Sequence, residues 1–170
     1  MKILFVIASD RFLDKGYVVP KKILEEKGVE CITASKIHGT CYGIHGEIVQ
    51  SDLTLDEVNP GDYDGIIIDG GIGCQDEHWR NEKLVDIVNK IGIAGKLTAA
   101  ICLAVPILGE AGLLAGKKAT CLDTPASIRL LTLDKAEIVP AKVVVDGKVV
   151  TAKSPSDAEE FGHAILSVIS

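Results

Sequence analysis

Cys102 is the residue whose surroundings most favour chemistry. It stands in the stretch A-I-C-L-A, between an apolar run (97–101) that predicts a buried strand and a longer one (103–114) that predicts a buried helix. Ala100 and Ala104 are small, as a sharp strand–nucleophile–helix turn requires. Such a turn would set the thiol at a helix N-terminus, where the dipole and free N–H groups favour the thiolate. The alternative interpretation is an inert cysteine in the core.

Two other cysteines are predicted to lie at the same edge of the sheet. Cys74 follows Gly70-Gly71 by three residues, and Cys121 ends the strand predicted after Cys102. Because the carboxyl ends of parallel strands meet at one edge, we expect at least two of these three thiols to approach each other. They could then form a reversible disulfide or bind a soft metal ion; the alternative is three separately buried thiols. The five cysteines are too widely spaced, and odd in number, for a disulfide scaffold or a C-x-x-C zinc site.

A double glycine and a histidine complete the candidates. Gly70-Gly71 follows the predicted strand 65–69, where glycine lets backbone N–H groups approach a ligand, although the pair also suits a simple tight turn. His78, seven residues past Gly71, is the histidine best placed to act as a base near Cys102. The alternative is a surface histidine at the start of a helix.

The composition predicts one domain with a sizeable core. The chain has 170 residues, of which 47% are hydrophobic, and a formal charge of −6 that argues against nucleic acid or an anionic membrane surface as a main partner. No apolar run approaches the length of a bilayer span, and the N-terminus does not resemble a signal peptide. We therefore expect a cytoplasmic protein.

Strands and helices alternate in the predicted secondary structure. Strands are predicted at 2–8, 29–34, 65–69, 97–101 and 117–121, and helices at 17–27, 81–93, 103–114, from 124 and from 154. Residues 35–59 interrupt this alternation with a small hairpin outside the main sheet, and two valine runs around Asp146-Gly147 predict another hairpin. The alternation predicts an α/β three-layer sandwich with a mainly parallel sheet.

The order of these motifs resembles the ThiJ/PfpI superfamily, which includes PfpI-type intracellular proteases and the parkinsonism-associated deglycase and glyoxalase proteins. The resemblance covers nearly the whole chain. It is carried by K-I-L-F-V-I-A at the start, H-G-E-I-V-Q-S-D-L-T-L-D-E-V (45–58), D-Y-D-G-I-I-I-D-G-G (62–71), A-I-C-L-A-V-P-I-L-G-E-A-G-L-L-A-G-K-K-A-T (100–120) and V-V-V-D-G-K-V-V-T-A-K-S-P-S-D-A-E-E-F (143–161).

The resemblance implies a fold, a site and an assembly. The fold would be a flavodoxin-like sandwich of the kind also found in class I glutamine amidotransferases, and the protein would form a homodimer or a higher homo-oligomer. The site would hold a reactive Cys102 with backbone N–H groups of Gly71 and Leu103 as an oxyanion nest. The substrate would be a small carbonyl compound or a peptide, and no cofactor is expected.

Four positions depart from the family pattern. Leu103 stands where PfpI-type proteins have a histidine next to the cysteine, and the other position that often carries a histidine falls at or near Cys121. The glutamate expected after the first strand falls on Leu13, with Asp14 beside it as a replacement acid (Asp10 is a further candidate), and Asp69 replaces the usual proline before the double glycine.

These departures leave two classes of function open. The first is an enzyme, with glyoxalase-like or deglycase-like activity on small carbonyl compounds or PfpI-type hydrolysis of peptides. The second is a redox-responsive or non-catalytic binding protein. We expect a reactive-cysteine or redox-responsive protein with weak activity on carbonyl compounds, and weak or no peptidase activity because the adjacent histidine is missing.

Overall fold

The computed structural model describes residues 1–170 as strands that alternate with helices along most of the chain. The strands are β1 (Lys2–Val6), β2 (Asp10–Phe12), β3 (Glu30–Ser35), β4 (Gly39–Gly43), β5 (Ile48–Ser51), β6 (Leu53–Thr54), β7 (Gly65–Ile68), β8 (Leu97–Ile101), β9 (Lys118–Ala119), β10 (Glu137–Ile138), β11 (Val143–Asp146) and β12 (Val149–Ala152). The α-helices are α1 (Asp14–Glu25), α2 (Ile72–His78), α3 (Glu82–Ile93), α4 (Val105–Glu110), α5 (Pro125–Leu133) and α6 (Ala158–Ile169).

A seven-stranded sheet forms the centre of the molecule. Its strand order is β11-β12-β8-β7-β1-β3-β6, and every neighbouring pair is parallel except β11 with β12. The Asp146-Gly147 turn joins that antiparallel pair, as the two valine runs predict. The predicted α/β sandwich with a mainly parallel, flavodoxin-like sheet is therefore confirmed.

Side-chain alternation along the strands builds a separate core on each face of the sheet. Leu4 and Val6 of β1 face a core that includes residues of α3, α4 and α5. Ile3 and Phe5 face the opposite core, which includes residues of α1 and α6. Helices thus cover both faces, which explains why the central strands are continuous apolar runs.

Several parts of the secondary structure differ from expectation. The predicted excursion is a small sheet of its own, in which the hairpin β4–β5 is joined by the unpredicted strand β2. The strand predicted at 117–121 is only β9, which pairs with β10 outside the main sheet. The helix predicted at 103–114 ends at Glu110, because Gly112 adopts a left-handed backbone with φ of 77°.

The helices of this chain are too short, or too polar, for any of them to cross a bilayer.

Candidate active site

Cys102 lies at a sharp turn where a strand gives way to a helix. Strand β8 ends at Ile101, and Cys102 begins a single 3₁₀ turn (Cys102–Ala104) that leads into α4. The backbone of Cys102 has φ of 60°, in the left-handed region that a residue with a side chain rarely adopts. Such a conformation costs about 1–3 kcal/mol and is found mostly where function requires it. The Cys102 residue is only 4% exposed, so the thiol is accessible to little more than a small molecule.

The double glycine packs directly against this turn. A Cβ atom on Gly70 would lie 2.7 Å from the carbonyl oxygen of Ile101 and 2.9 Å from Cβ of Cys102. Gly71 has φ of 94°, and a Cβ there would lie 2.6 Å from the carbonyl oxygen of Arg11. Both glycines are therefore needed for close approach, and they bring the ends of β7 and β8 together.

Burial and hydrogen bonding shift the pKa of Cys102 in opposite directions, and burial has the larger effect. Burial raises the pKa of the thiol to about 11; hydrogen bonds from the N–H groups of Leu103 and Gly71 work in the opposite direction, and the charge of Asp69 adds to the increase. The two N–H groups expected to form an oxyanion nest therefore both act on Cys102. The N–H groups at the turn favour the thiolate, as expected of a helix start, but desolvation of the thiolate outweighs them and the net change in the pKa is upwards.

Asp69 is the one carboxyl group whose charge affects the pKa of Cys102. It follows β7, is fully buried, and accepts a 2.8 Å hydrogen bond from the backbone N–H of Leu13 through Oδ2. Its other oxygen, Oδ1, has no hydrogen-bond partner. Burial raises the pKa of Asp69 well above its usual value, although N–H groups of Leu13 and Gly70 act against that increase. In the sequence analysis, Asp69 was noted only as a replacement for a proline and was assigned no role. The feature that could have indicated a role is a charged residue at the end of an apolar strand.

Asp14 does not have the contacts of the replacement acid expected there. Its two carboxylate oxygens accept hydrogen bonds from the backbone N–H groups of His45 and Glu47, at 2.9 and 2.8 Å. Although burial opposes the effect, these bonds lower the pKa of Asp14. A carboxylate held in its charged form cannot serve as a proton-donating acid at neutral pH, so Asp14 instead ties the start of α1 to the β4–β5 hairpin. Asp10 is exposed and forms an ion pair with Arg11.

His78 is buried rather than on the surface. It is the last residue of α2, its exposure is 0%, and neither ring nitrogen has a hydrogen-bond partner. Burial lowers the pKa of His78 to about 4, while the charge of Glu77 works weakly against this. The groups that shift the pKa of Cys102 do not include His78. The arrangement therefore gives no support to His78 as the base for Cys102.

The neighbouring Trp79 touches the turn instead. Its indole Nε1–H donates a 2.6 Å hydrogen bond to the carbonyl oxygen of Leu103. Trp79 also forms part of the wall of a cavity of about 430 Å³, whose lining is Trp79, Arg80, Pro125, Ala126, Arg129, Leu130 and Leu133. In the sequence analysis, His78 was considered, and this contact of the residue that follows it was not foreseen.

The three cysteines predicted to form a cluster lie on different faces of the sheet. Cys74 and Cys121 belong to the core beneath α3, α4 and α5, whereas Cys102 belongs to the core beneath α1 and α6. All five cysteines are free, and no group of three or more His, Cys, Asp or Glu side chains is arranged to hold a metal ion. The arrangement therefore gives no support to the metal-binding version of the cluster. Charge on Cys102 does contribute to raising the pKa of both Cys74 and Cys121, and a disulfide among them stays a prediction.

Comparison with known proteins places this arrangement in a family. The model of the DJ-1/PfpI family matches residues 1–168. The protein named deglycase PfpI, from Pyrococcus furiosus, is 39% identical over 158 residues, with 92% of each chain covered. A protein named deglycase from Pyrococcus horikoshii is also 39% identical, over 157 residues and 92% of each chain. Among solved structures, a ThiJ/PfpI domain protein from Brachyspira murdochii is 30% identical and superimposes with a TM-score of 0.94, covering 99% of this chain and 95% of that one.

Proposed function

Because the chain belongs to the DJ-1/PfpI family, we propose that it is a cysteine-dependent enzyme acting on small carbonyl compounds, in the manner of a glyoxalase or deglycase. The observation that carries the proposal is the position of Cys102, in a left-handed turn with the N–H groups of Leu103 and Gly71 directed at it. The two relatives that are named deglycases support the same class of substrate.

The chemistry of such a site can be written for methylglyoxal. The sulfur of Cys102 adds to the aldehyde carbon, and the carbonyl oxygen gains a proton to give a hemithioacetal. A proton then moves from the former aldehyde carbon to the neighbouring carbonyl carbon, and the hydroxyl proton moves from the first oxygen to the second, which yields a lactyl thioester. Water hydrolyses this thioester to lactate and the free thiol. The net reaction is the addition of one water to methylglyoxal, so no external oxidant or reductant is required.

The N–H groups of Leu103 and Gly71 have a defined part in this sequence. Hydrogen bonds to the thiolate compensate part of its desolvation, as their effect on the Cys102 pKa indicates. Fixed backbone donors at a nucleophile also suit the negative oxygen that forms when a carbonyl is attacked. Gly71 is rigidly placed for this by its contact with Arg11, and Leu103 by the indole of Trp79.

Hydrolysis of peptides is the alternative activity in this family. It is disfavoured here because Cys102 is almost completely buried and Leu103 follows it where a histidine would help the leaving amine. The same protein preparation distinguishes the two activities: a robust peptidase rate that Cys102→Ser abolishes would favour the hydrolase.

The proposal is tested by lactate formation from methylglyoxal with purified protein. Cys102→Ser should reduce the rate at least about 100-fold, since an alcohol is a far weaker nucleophile than a thiol. Cys31→Ser is the matched control, because Cys31 is a partly exposed cysteine on β3 and should keep the full rate. A rate that Cys102→Ser leaves unchanged, or no lactate from the parent protein, would overturn the proposal.

A further inference from the structure

The site described above lacks a proton acceptor for the thiol. Asp14 accepts hydrogen bonds from the hairpin, and His78 is buried without a hydrogen-bond partner and is not among the groups that shift the pKa of Cys102. A thiol whose pKa is about 11 is almost entirely protonated at neutral pH, so its attack on a carbonyl requires a group that takes the proton.

The sheet register brings Asp69 to the elbow. Ile68 at the end of β7 pairs with Ala100 of β8, so the next residues along, Asp69 and Ile101, are neighbours, and Cys102 follows directly. Gly70, between Asp69 and the loop, is in close contact with Cys102 itself. The strand ends therefore place the backbone of Asp69 next to that of the nucleophile.

The surroundings of the Asp69 carboxyl group leave one oxygen available. Oδ2 is occupied by the N–H of Leu13, whereas Oδ1 is buried without a partner. Gly16 of α1 makes room for it, because a Cβ there would collide with Oδ1 and would also lie 3.0 Å from Cδ2 of Leu13 and 3.3 Å from Cγ2 of Ile101. The space between α1 and the strand ends is thus shaped around a carboxyl oxygen that makes no hydrogen bond within the protein, an uncommon and costly arrangement.

We propose that Asp69 is the proton acceptor of Cys102: the thiol turns towards Oδ1, with which it forms no hydrogen bond at rest, and Oδ1 takes its proton as the sulfur attacks a carbonyl carbon. In that step the C–S bond forms, the carbonyl electron pair moves to oxygen, and the S–H proton passes to Asp69. The carboxylic acid then returns the same proton to the negatively charged oxygen, which completes the hemithioacetal and regenerates the carboxylate. The proposal deepens the proposed function, since it supplies a proton route for the addition step without a histidine.

The charged and titratable groups around Asp69 are consistent with this exchange. They are Asp14 from α1, Cys74 from α2 and Cys102 after β8, and none of them is a cation. With no positive charge to hold the carboxylate, burial and the charge of Asp14 both favour a protonated Asp69. The affinity of Asp69 for a proton is thereby raised towards that of the thiol, which makes transfer between the two groups less unfavourable.

The experiment is the rate of alkylation of Cys102 by iodoacetamide as a function of pH, read by mass spectrometry of the Cys102 peptide. We expect two rising limbs in the parent protein: a lower one as Asp69 loses its proton and an upper one as the thiol itself ionises near pH 11. Asp69→Asn, in which the amide oxygen can still accept from Leu13, should remove the lower limb and slow alkylation at pH 7.5 at least about tenfold.

Asp134→Asn is the matched control. Asp134 is partly buried and, like Asp69, has an oxygen without a partner and a pKa raised by burial, but it follows α5 and packs against Gly109. This variant should keep both limbs. A lower limb that survives Asp69→Asn, or that Asp134→Asn also removes, would contradict the proposal. A parent profile with a single rise near the thiol pKa would do so without any variant.

Alkylation separates this inference from the proposed function. Iodoacetamide reacts with the thiol directly and involves no carbonyl attack, so its pH profile tests the Asp69–Cys102 pair alone. If the two limbs behave as expected and methylglyoxal is not converted, the proton exchange stands and the assignment of the substrate fails. If methylglyoxal is converted with a single-limbed alkylation profile, the reverse holds.

Discussion

At Cys102, burial and hydrogen bonding act on the thiol in opposite directions. The turn that presents the sulfur also removes it from water, and the N–H groups of Leu103 and Gly71 recover only part of the lost hydration. The reactivity of the Cys102 thiol therefore depends on how closely the ends of β7 and β8 approach each other. Gly70 is the residue that sets this distance, since it alone separates Asp69 from Gly71 and touches Cys102.

Gly70→Ala should destabilise the protein and slow Cys102 alkylation. The new Cβ would lie 2.7 Å from the Ile101 oxygen and 2.9 Å from the Cys102 Cβ, so the elbow must move. We expect a loss of about 1–3 kcal/mol in the free energy of unfolding, measured by urea denaturation. Gly61→Ala is the control, because a Cβ there would come no closer than 3.5 Å to Asn59 and should change stability little. Equal stability of the two variants would show that the strand ends are not in the described contact.

Among the secondary-structure elements, the strands of the central sheet were predicted from their apolar runs, whereas helix α2, which has no apolar pattern, was not. Strands β1, β7 and β8 are buried on both faces, and such strands are apolar along their whole length, which local sequence reveals. Helix α2 was missed because I-G-C-Q-D-E-H has no apolar periodicity; it is placed by Gly73, whose missing Cβ lets the helix approach the carbonyl oxygen of Asp10.

The candidate site shows the same division between local and distant information. The small residues around Cys102 predicted a tight turn, because that constraint lies within five residues of sequence. The environment of Asp69 depends on Leu13 and Gly16, which are more than 50 residues away along the chain. No local sequence pattern predicts a contact between such distant residues. The acid was therefore predicted at Asp14, which lies next to the expected position in the sequence but accepts hydrogen bonds from the hairpin instead.

The attachment of the β4–β5 hairpin to α1 is tested by Asp14→Ala. The substitution removes the acceptor of two backbone N–H groups, from His45 and Glu47, and hydrogen bonds to a charged group contribute about 1.5–3 kcal/mol each. Hydrogen exchange of the amides of residues 43–51 should therefore accelerate at least about tenfold, with a smaller change in β7 and β8. Unchanged exchange in the hairpin would mean that Asp14 does not hold it.

For the molecule as a whole, two buried titratable groups govern stability against pH in opposite senses. His78 has a folded-state pKa of about 4, below its ordinary value of 6.5. The unfolded chain thus binds a proton that the folded protein excludes, and stability falls as the pH drops from 6.5 towards 4. Asp69 has a raised pKa, so the folded protein holds a proton that the unfolded chain releases, and its contribution to stability falls as the pH rises above the ordinary value of 3.8.

His78→Leu separates these two contributions. Between pH 6.5 and pH 4 the parent protein should lose about 3 kcal/mol through His78, as a pKa difference of this size implies. Leucine has a similar volume and cannot bind a proton, so the free energy of unfolding of the variant, measured by urea denaturation, should decline less steeply on the acid side, by up to about 1.4 kcal/mol per pH unit.

His163→Gln, at an exposed histidine of α6, should retain the parent profile. Because Asp69 is present in all three proteins, its opposite slope cancels in the comparison. Parallel profiles for His78→Leu and the parent would mean that His78 is able to accept a proton in the folded protein, and that the interior around α2 admits water or rearranges to accommodate the charge.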